Sequence, residues 1–217
     1  MSKKQITKLL FFAVIAIAVV IFIVKGKLDK SKLDNANKNI SVEKVTWTQT
    51  NVWDDSGHDK IGLIVKNSND SDLDITIRAS LYDQEGNFIE KRESTIKALG
   101  SNEDYFLPVM ADSNAKDIKY EYECDNTSYH ALSAKKMDAL FNSENGDSYI
   151  TVTNNSKEDT KECECVIVFY NSINKIESVA QVSMNNGSVP SGETVKEKVK
   201  HAPIGCDTKI YVNAYTE

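Results

Sequence analysis

Arginine is nearly absent from this 217-residue chain, which has only Arg78 and Arg92, and there is no excess of positive charge. Its 26 lysines and arginines are outnumbered by 32 aspartates and glutamates, for a formal net charge of −6. Every acidic residue lies beyond an N-terminal apolar segment, while Lys3, Lys4 and Lys8 precede it, so the rest of the chain is more acidic than the whole. That balance excludes a nucleic-acid-binding role, because phosphates require a basic footprint. It is equally poor for lying flat on anionic lipid. Histidine is also scarce. His58, His130 and His201 are the only ones, each beside turn-like sequence, and no nucleophile motif accompanies them. A hydrolytic triad needs a serine or cysteine within reach of such a histidine. The sequence offers no such constellation, so an enzyme is not expected, and neither are a cofactor or a catalytic residue.

There is a single long apolar run, Leu9–Val24, flanked by Lys8 and Lys25. Its 16 residues span roughly 24 Å as a helix, a little short of a hydrocarbon core of about 30 Å. Lysines at both ends can snorkel across the difference. No polar residue appears at any helical phase, which argues against a buried globular helix. The small-x-small triplet Ala16-Ile17-Ala18 lies inside the run, so cleavage there would leave apolar residues at the start of the mature chain. The segment therefore reads as an uncleaved transmembrane anchor, with the lipid bilayer as the partner of residues 9–24. Lysines on both sides leave the positive-inside count close to even. A short N-terminal tail and the lack of a second span favour a cytoplasmic tail over residues 1–8, with the remainder extracellular. Residues 25–41, a mixture of Lys, Asp, Asn and Ser without hydrophobic period, read as a flexible stalk.

The rest of the chain repeats itself. Val65-Lys66-Asn67-Ser68 matches Thr153-Asn154-Asn155-Ser156, and Leu81-Tyr82-Asp83 matches Phe169-Tyr170-Asn171, both at an offset of 88. Leu99-Gly100-Ser101-Asn102-Glu103 matches Val189-Pro190-Ser191-Gly192-Glu193, and Asp117–Tyr120 matches Asp207–Ile210, at an offset of 90. An insertion of two residues in a hairpin of the second copy accounts for the change. Ser133–Phe141 aligns with Val45–Trp53, and Leu140-Phe141 with Val52-Trp53, so a stretch that also fits a helical period is predicted as strand. Copy one is placed at 42–125 and copy two at 126–217. Domains of this size bury modest cores.

Within each copy the hydrophobic period is two. Ile75, Ile77, Ala79 and Leu81 alternate with polar neighbours, and Cys163, Cys165, Ile167 and Phe169 occupy the matching places. Ile118, Tyr120 and Tyr122 alternate with charged residues. Alternation of this kind predicts half-buried strands with one face on a core. Turn clusters at short intervals predict an all-β fold of two tandem antiparallel β-sandwiches.

The Asn-rich turn, the alternating strand ending Leu81-Tyr82-Asp83, the Gly turn and the later Gly/Ser/Glu turn resemble the bacterial FxLyD family. Copy one has Ala79 at the family's Phe position. Copy two has Ile167, Phe169 and Asn171 at the family's Phe, Leu and Asp positions. The resemblance implies immunoglobulin-like domains of exported or membrane-anchored proteins and carries over no activity.

Four candidate chemistries remain. Cys124, Cys163, Cys165 and Cys206 read either as buried thiols or as a source of at least one disulfide. A Cys163–Cys165 bridge is disfavoured, since strand residues two apart hold their Cα atoms about 6.5–7 Å apart. Zinc is disfavoured because thiols at this spacing diverge and no adjacent histidine completes a set. Asp54, Asp55, Ser56 and Asp59 form an oxygen-rich turn that could hold calcium, but without the full ligand spacing of a known loop. Asp-Ser-Gly is also ordinary turn chemistry. Trp47, Trp53, Tyr120 and Tyr122 could form a binding platform, although alternation assigns them to strand faces and core packing. The sequence thus points to a non-enzymatic module that binds an envelope component or protein partner, or else to a structural spacer or accessory subunit.

Overall fold

The computed structural model describes residue 33 and residues 35–50, 57–109, 115–132, 136–200, 202–203 and 205–217. The apolar run Leu9–Val24, the Trp53 position and the Asp54–Ser56 turn lie outside the described residues. Among the described residues no helix is long and apolar enough to cross a membrane. The fold is all-β and its sheets are antiparallel. Residues Asn39–Glu217 form one compact unit.

Copy one contributes β1 (Ile40–Thr50), β2 (Gly57–Asn67), β3 (Leu73–Tyr82), β4 (Phe88–Leu99), β5 (Asp104–Val109) and β6 (Asp117–Asn126). They form two sheets, ordered β1-β2-β5 and β4-β3-β6. A two-residue strand, β7 (His130–Ala131), precedes copy two. There follow β8 (Met137–Glu144), β9 (Asp147–Asn154), β10 (Glu162–Tyr170), β11 (Ile176–Ser183), β12 (Thr194–Val199) and β13 (Asp207–Thr216). Their sheets, β8-β9-β12 and β11-β10-β13, repeat the order of copy one, with β7 added beside β13. The core of copy two lies between its sheets, with Met137, Ile150, Val152 and Val199 facing Cys163, Cys165, Ile167, Phe169 and Ala214.

Two buried asparagines set the register of the repeat. Asn67 donates to the carbonyls of Ser71, Leu99 and Gly100, and its Oδ1 accepts from the Asn69 amide. Asn154 donates to Glu158 and Val189, and its Oδ1 accepts from Ser156. The structural equivalent of Asn67 is therefore Asn154, which corrects the sequence alignment by one residue at this turn. Adjacent asparagines at 154 and 155 made the two registers indistinguishable by residue type. Copy two regains the step after this turn, since Asp159 and Cys163 are one residue further apart than Asp72 and Ile75, and Asp159 binds the Ser191 amide as Asp72 binds that of Ser101.

The two-residue insertion is not in the hairpin. β4 and β11 keep the same offset through their pairing with β3 and β10, and the extra residues lie in the 3-10 turn Met184–Gly187 that follows β11. The first strand is shifted as well. Ile40 pairs with Asn67 and Met137 with Asn154, so Met137 is the counterpart of Ile40 and not of Gln49. Met137–Phe141 is strand as predicted. The Val45–Trp53 alignment fails because hydrophobic alternation has no unique phase over so short a segment.

The hairpin after β3 explains the Leu-Tyr-Asp motif. Leu81 is fully buried, while Asp83 turns the chain by accepting the Asn87 amide at 2.7 Å and the Gly86 amide at 3.2 Å. Hydrogen bonds from Asn87 hold the Asp83 carboxyl below the usual carboxylate range. Asn171 does the same work for Lys175 and Asn174. The left-handed position is Gly86 in one copy and Asn174 in the other, the two residue types that tolerate it best.

Candidate functional site

β3 has one buried face, as alternation predicts, with Ile75, Ile77, Ala79 and Leu81 inside and Arg78 exposed. β10 departs from that pattern. Cys163, Cys165, Ile167 and Phe169 are inside, but Val166 and Val168 on the other face are also fully buried. One-sided alternation is therefore wrong for copy two. Cross-strand pairing places Val166 beside Tyr211 and Gln181, and Val168 beside Lys209 and Val179. This outer face meets copy one: the Tyr211 and Phe106 rings are 5.9 Å apart, Lys209 pairs with Asp104 at 3.0 Å, and the Tyr105 hydroxyl donates to Glu164 at 2.7 Å.

Copy one supplies the outer face of β1-β2-β5. Trp47, Lys60 and Phe106 lie there with Gly62, whose missing side chain lets two rings settle on the strand. A Cβ at Gly62 would collide with the Phe106 ring and stand 3.2 Å from Trp47 Cζ3. Trp47 and Phe106 pack at 5.8 Å, and both are buried. Sequence reasoning missed this seam, although two signals were present. Val166–Phe169 is an unbroken apolar run where copy one alternates, a sign of burial on both faces. Gly62 is an isolated glycine inside a strand, which marks close approach of another group.

Between the copies the seam opens into a cleft of about 470 Å³, lined by Trp47, Lys60, Pro108 and Val109 of copy one and by Glu164, Val179, Gln181 and Ser183 of copy two. A neighbouring cleft of about 350 Å³ shares Pro108, Val109 and Gln181 and reaches Ile77 and Ala79. Glu164 is held from both sides, by the Tyr105 hydroxyl and by Gln181 Nε2, each at 2.7 Å. Burial, reinforced by Glu164, pushes the Tyr105 phenol far above its ordinary range, so it remains a donor. Among the described residues Trp47 Nε1 is the buried side-chain nitrogen or oxygen without a hydrogen-bond partner.

The other candidates fall elsewhere. Tyr120 and Tyr122 direct their hydroxyls to the carbonyls of Val42 and Ile40, closing the opposite side of copy one. His130 is exposed in β7, whereas His201 lies outside the described residues. His58 and Asp59 fall on β2, and their side chains are outside the described set. No disulfide joins Cys124, Cys163, Cys165 and Cys206. Cys163 and Cys165 share the core face, where a hydrogen bond that the Cys165 thiol donates to Cys163, together with burial, raises the Cys165 pKa. Burial pushes Cys124 up to about 11. Cys206 donates to Glu177 at 3.3 Å. Among the described residues no three His, Cys, Asp or Glu side chains converge as a metal site.

Compared with protein-family models and with curated proteins, the chain matches none.

Proposed function

We propose that this chain is a membrane-anchored, extracytoplasmic, non-enzymatic binding protein. Residues 9–24 hold it in the bilayer, and tandem immunoglobulin-like sandwiches of FxLyD type present one recognition site at their seam to an envelope component or protein partner. The observation that carries the reading is the seam cleft, where apolar Trp47, Pro108, Val109 and Val179 meet a few polar groups. Clefts of this size and mixed lining are the usual form of recognition sites. The immunoglobulin-like architecture adds only fold-level analogy. The structural-spacer reading has support of its own, because Asp104, Tyr105 and Phe106 each engage copy two and so stiffen the pair.

Residues 39–217 used as bait on envelope extracts separate the two. A binding module retains a partner that Ser183→Arg, on the exposed lip of the cleft, fails to retain. A spacer retains nothing that depends on Ser183. Protease added to wall-free intact cells tests the setting, since an extracytoplasmic region is digested without breaching the membrane.

A further inference from the structure

We propose that β8 is a docking edge for a second copy of this chain, which pairs its own β8 antiparallel about a two-fold axis through Leu140. The surface is separate from the seam cleft, and the proposal does not depend on what the cleft binds.

The two copies treat the same edge differently. β8 is the outermost strand of β8-β9-β12, as β1 is of β1-β2-β5. In copy one that edge is capped, because the carbonyls of Val42 and Ile40 accept the hydroxyls of Tyr120 and Tyr122 from β6. Copy two keeps the edge and lacks the cap. Met137 is the counterpart of Ile40, which makes Ala139 that of Val42. Pairing with β3 and β10 makes Ile210 and Val212 the counterparts of Tyr120 and Tyr122. Neither has a hydroxyl to donate. Nor does β8 carry the usual guards of an open edge, since it contains no proline, no lysine and no bulge.

The phase of the ladder identifies the open groups. Asn145 and Gly146, both at positive φ, form the two-residue turn between β8 and β9, so Glu144 and Asp147 exchange backbone bonds. Every second residue back from Glu144 also bonds β9. The Lys136 carbonyl, in that same phase, accepts the Asn155 amide. Phe141 and Ala139 are in the opposite phase and direct their N–H and C=O groups to the outer edge. Among the described residues no strand pairs with β8 on that side.

A second β8 centred on Leu140 meets these groups in register. Ala139 of each chain faces Phe141 of the other, and each such pair exchanges two backbone hydrogen bonds. On the outer face Leu140, 57% exposed, meets its own counterpart at the axis and is covered. Asp138 lies opposite Asn142, and Lys136 opposite Glu144, so no like charges meet. Neighbouring registers lose this match. Centring on Asp138 sets two carboxylates together, and centring on Asn142 sets Leu140 against Glu144. Centring on Ala139 or Phe141 sets Leu140 against Asp138 or Asn142. The match at Leu140 is what favours a second copy over a peptide of another sequence.

Sedimentation of residues 39–217, a compact unit with its cores inside it, should show a reversible monomer–dimer equilibrium of the weak class expected for a small contact. Leu140→Lys sets like charges at the axis and should weaken it about tenfold. Val212→Tyr restores one hydroxyl of the copy-one cap and should also weaken it. Asn142→Lys, opposite Asp138, should tighten it about fivefold. Leu140→Cys should oxidise in air to a covalent dimer linked at that position, whereas Asn142→Cys should not. Directly opposed residues of a non-hydrogen-bonded pair have Cα atoms about 4.5 Å apart, within reach of a disulfide. The proposal is overturned by a chain that stays monomeric to millimolar concentration, or by a dimer that a folded Leu140→Lys variant leaves intact. Cross-linking by Asn142→Cys in place of Leu140→Cys also overturns it. So does a monomer whose β8 edge takes up an extended peptide of unrelated sequence, in favour of a peptide partner.

Discussion

The hydroxyl of Tyr105 in copy one donates a 2.7 Å hydrogen bond to the Glu164 carboxylate of copy two. Its neighbours act in the same direction, Asp104 through an ion pair with Lys209 and Phe106 through its ring contact with Tyr211. Three consecutive residues of β5 thus join the copies by three different interactions. They are not equal in strength. Half-exposed ion pairs contribute little, whereas a hydrogen bond to a charged acceptor, such as this partly buried one, contributes about 1.5–3 kcal/mol.

Tyr105→Phe keeps the ring and removes the hydroxyl, so it should destabilise the protein by about 1.5–3 kcal/mol in denaturant melts. Asp104→Asn should change stability by less than about 1 kcal/mol. A double-mutant cycle with Glu164→Gln should assign most of the Tyr105 effect to the pair. Additive losses would show that Tyr105 acts through packing alone.

The second expectation concerns the two faces of β10. Val168 is fully buried at the seam, and its counterpart in copy one, Ser80, lies on a face that also carries exposed Arg78. Val168→Ala should cost about 1–3 kcal/mol and Phe169→Ala about 3–5 kcal/mol. Ser80→Ala should stay within about 0.5 kcal/mol. A neutral Val168→Ala would mean that the seam opens in solution.

The strands of copy one were legible because alternation is informative where one face meets water. Ile75, Ile77, Ala79 and Leu81 were identified as core on that signal, and they are buried. The same rule misread Val166 and Val168, because the face they share with Glu164 meets copy one, whose residues lie far back in the chain. Register was legible at Ser101 and Ser191, which bind Asp72 and Asp159, but was misread by one residue at the Asn67 turn, where copy two offers two adjacent asparagines. It was lost where only hydrophobicity guided it, as in the pairing of Met137. The cleft was hidden for the same reason as the seam. Trp47 and Glu164 belong to different copies, and no local pattern connects them.

Asn67 and Asn154 yield a prediction on which the repeat itself depends. Each amide ties the end of one strand to carbonyls more than 30 residues away, Leu99 in copy one and Val189 in copy two. Replacing either by Ala leaves buried carbonyls without donors, at about 1–3 kcal/mol for each unsatisfied group. Asn67→Asp should be no better, since it deletes the donors and buries a charge. Asn155→Ala, one residue from the true counterpart and exposed, should be nearly silent in a thermal melt. If Asn155→Ala proves the damaging change, the offset of 88 holds at this turn and Asn154 is not the equivalent of Asn67.

The thiols allow a pH-dependent test. Cys163, Cys165 and Cys124 are buried, while Cys206 is half-buried beside Glu177. Burial, together with the hydrogen bond and charge of Glu177, holds the Cys206 pKa above the ordinary thiol value. The thiolate is the reactive form, so a raised pKa means less of it at any given pH. Alkylation of the native protein by iodoacetamide should therefore begin at Cys206, proceed slowly at neutral pH, and accelerate as the pH rises beyond the ordinary thiol range. Glu177→Gln removes the negative charge that opposes ionisation, so the Cys206 rate at pH 8 should rise while the other three cysteines stay protected. Full denaturation without reductant should expose all four thiols to the reagent, as counted by mass. Recovery of only two would reveal a disulfide, and peptide mapping that placed it at Cys163 or Cys165 would overturn their arrangement as side-by-side thiols in the core of copy two.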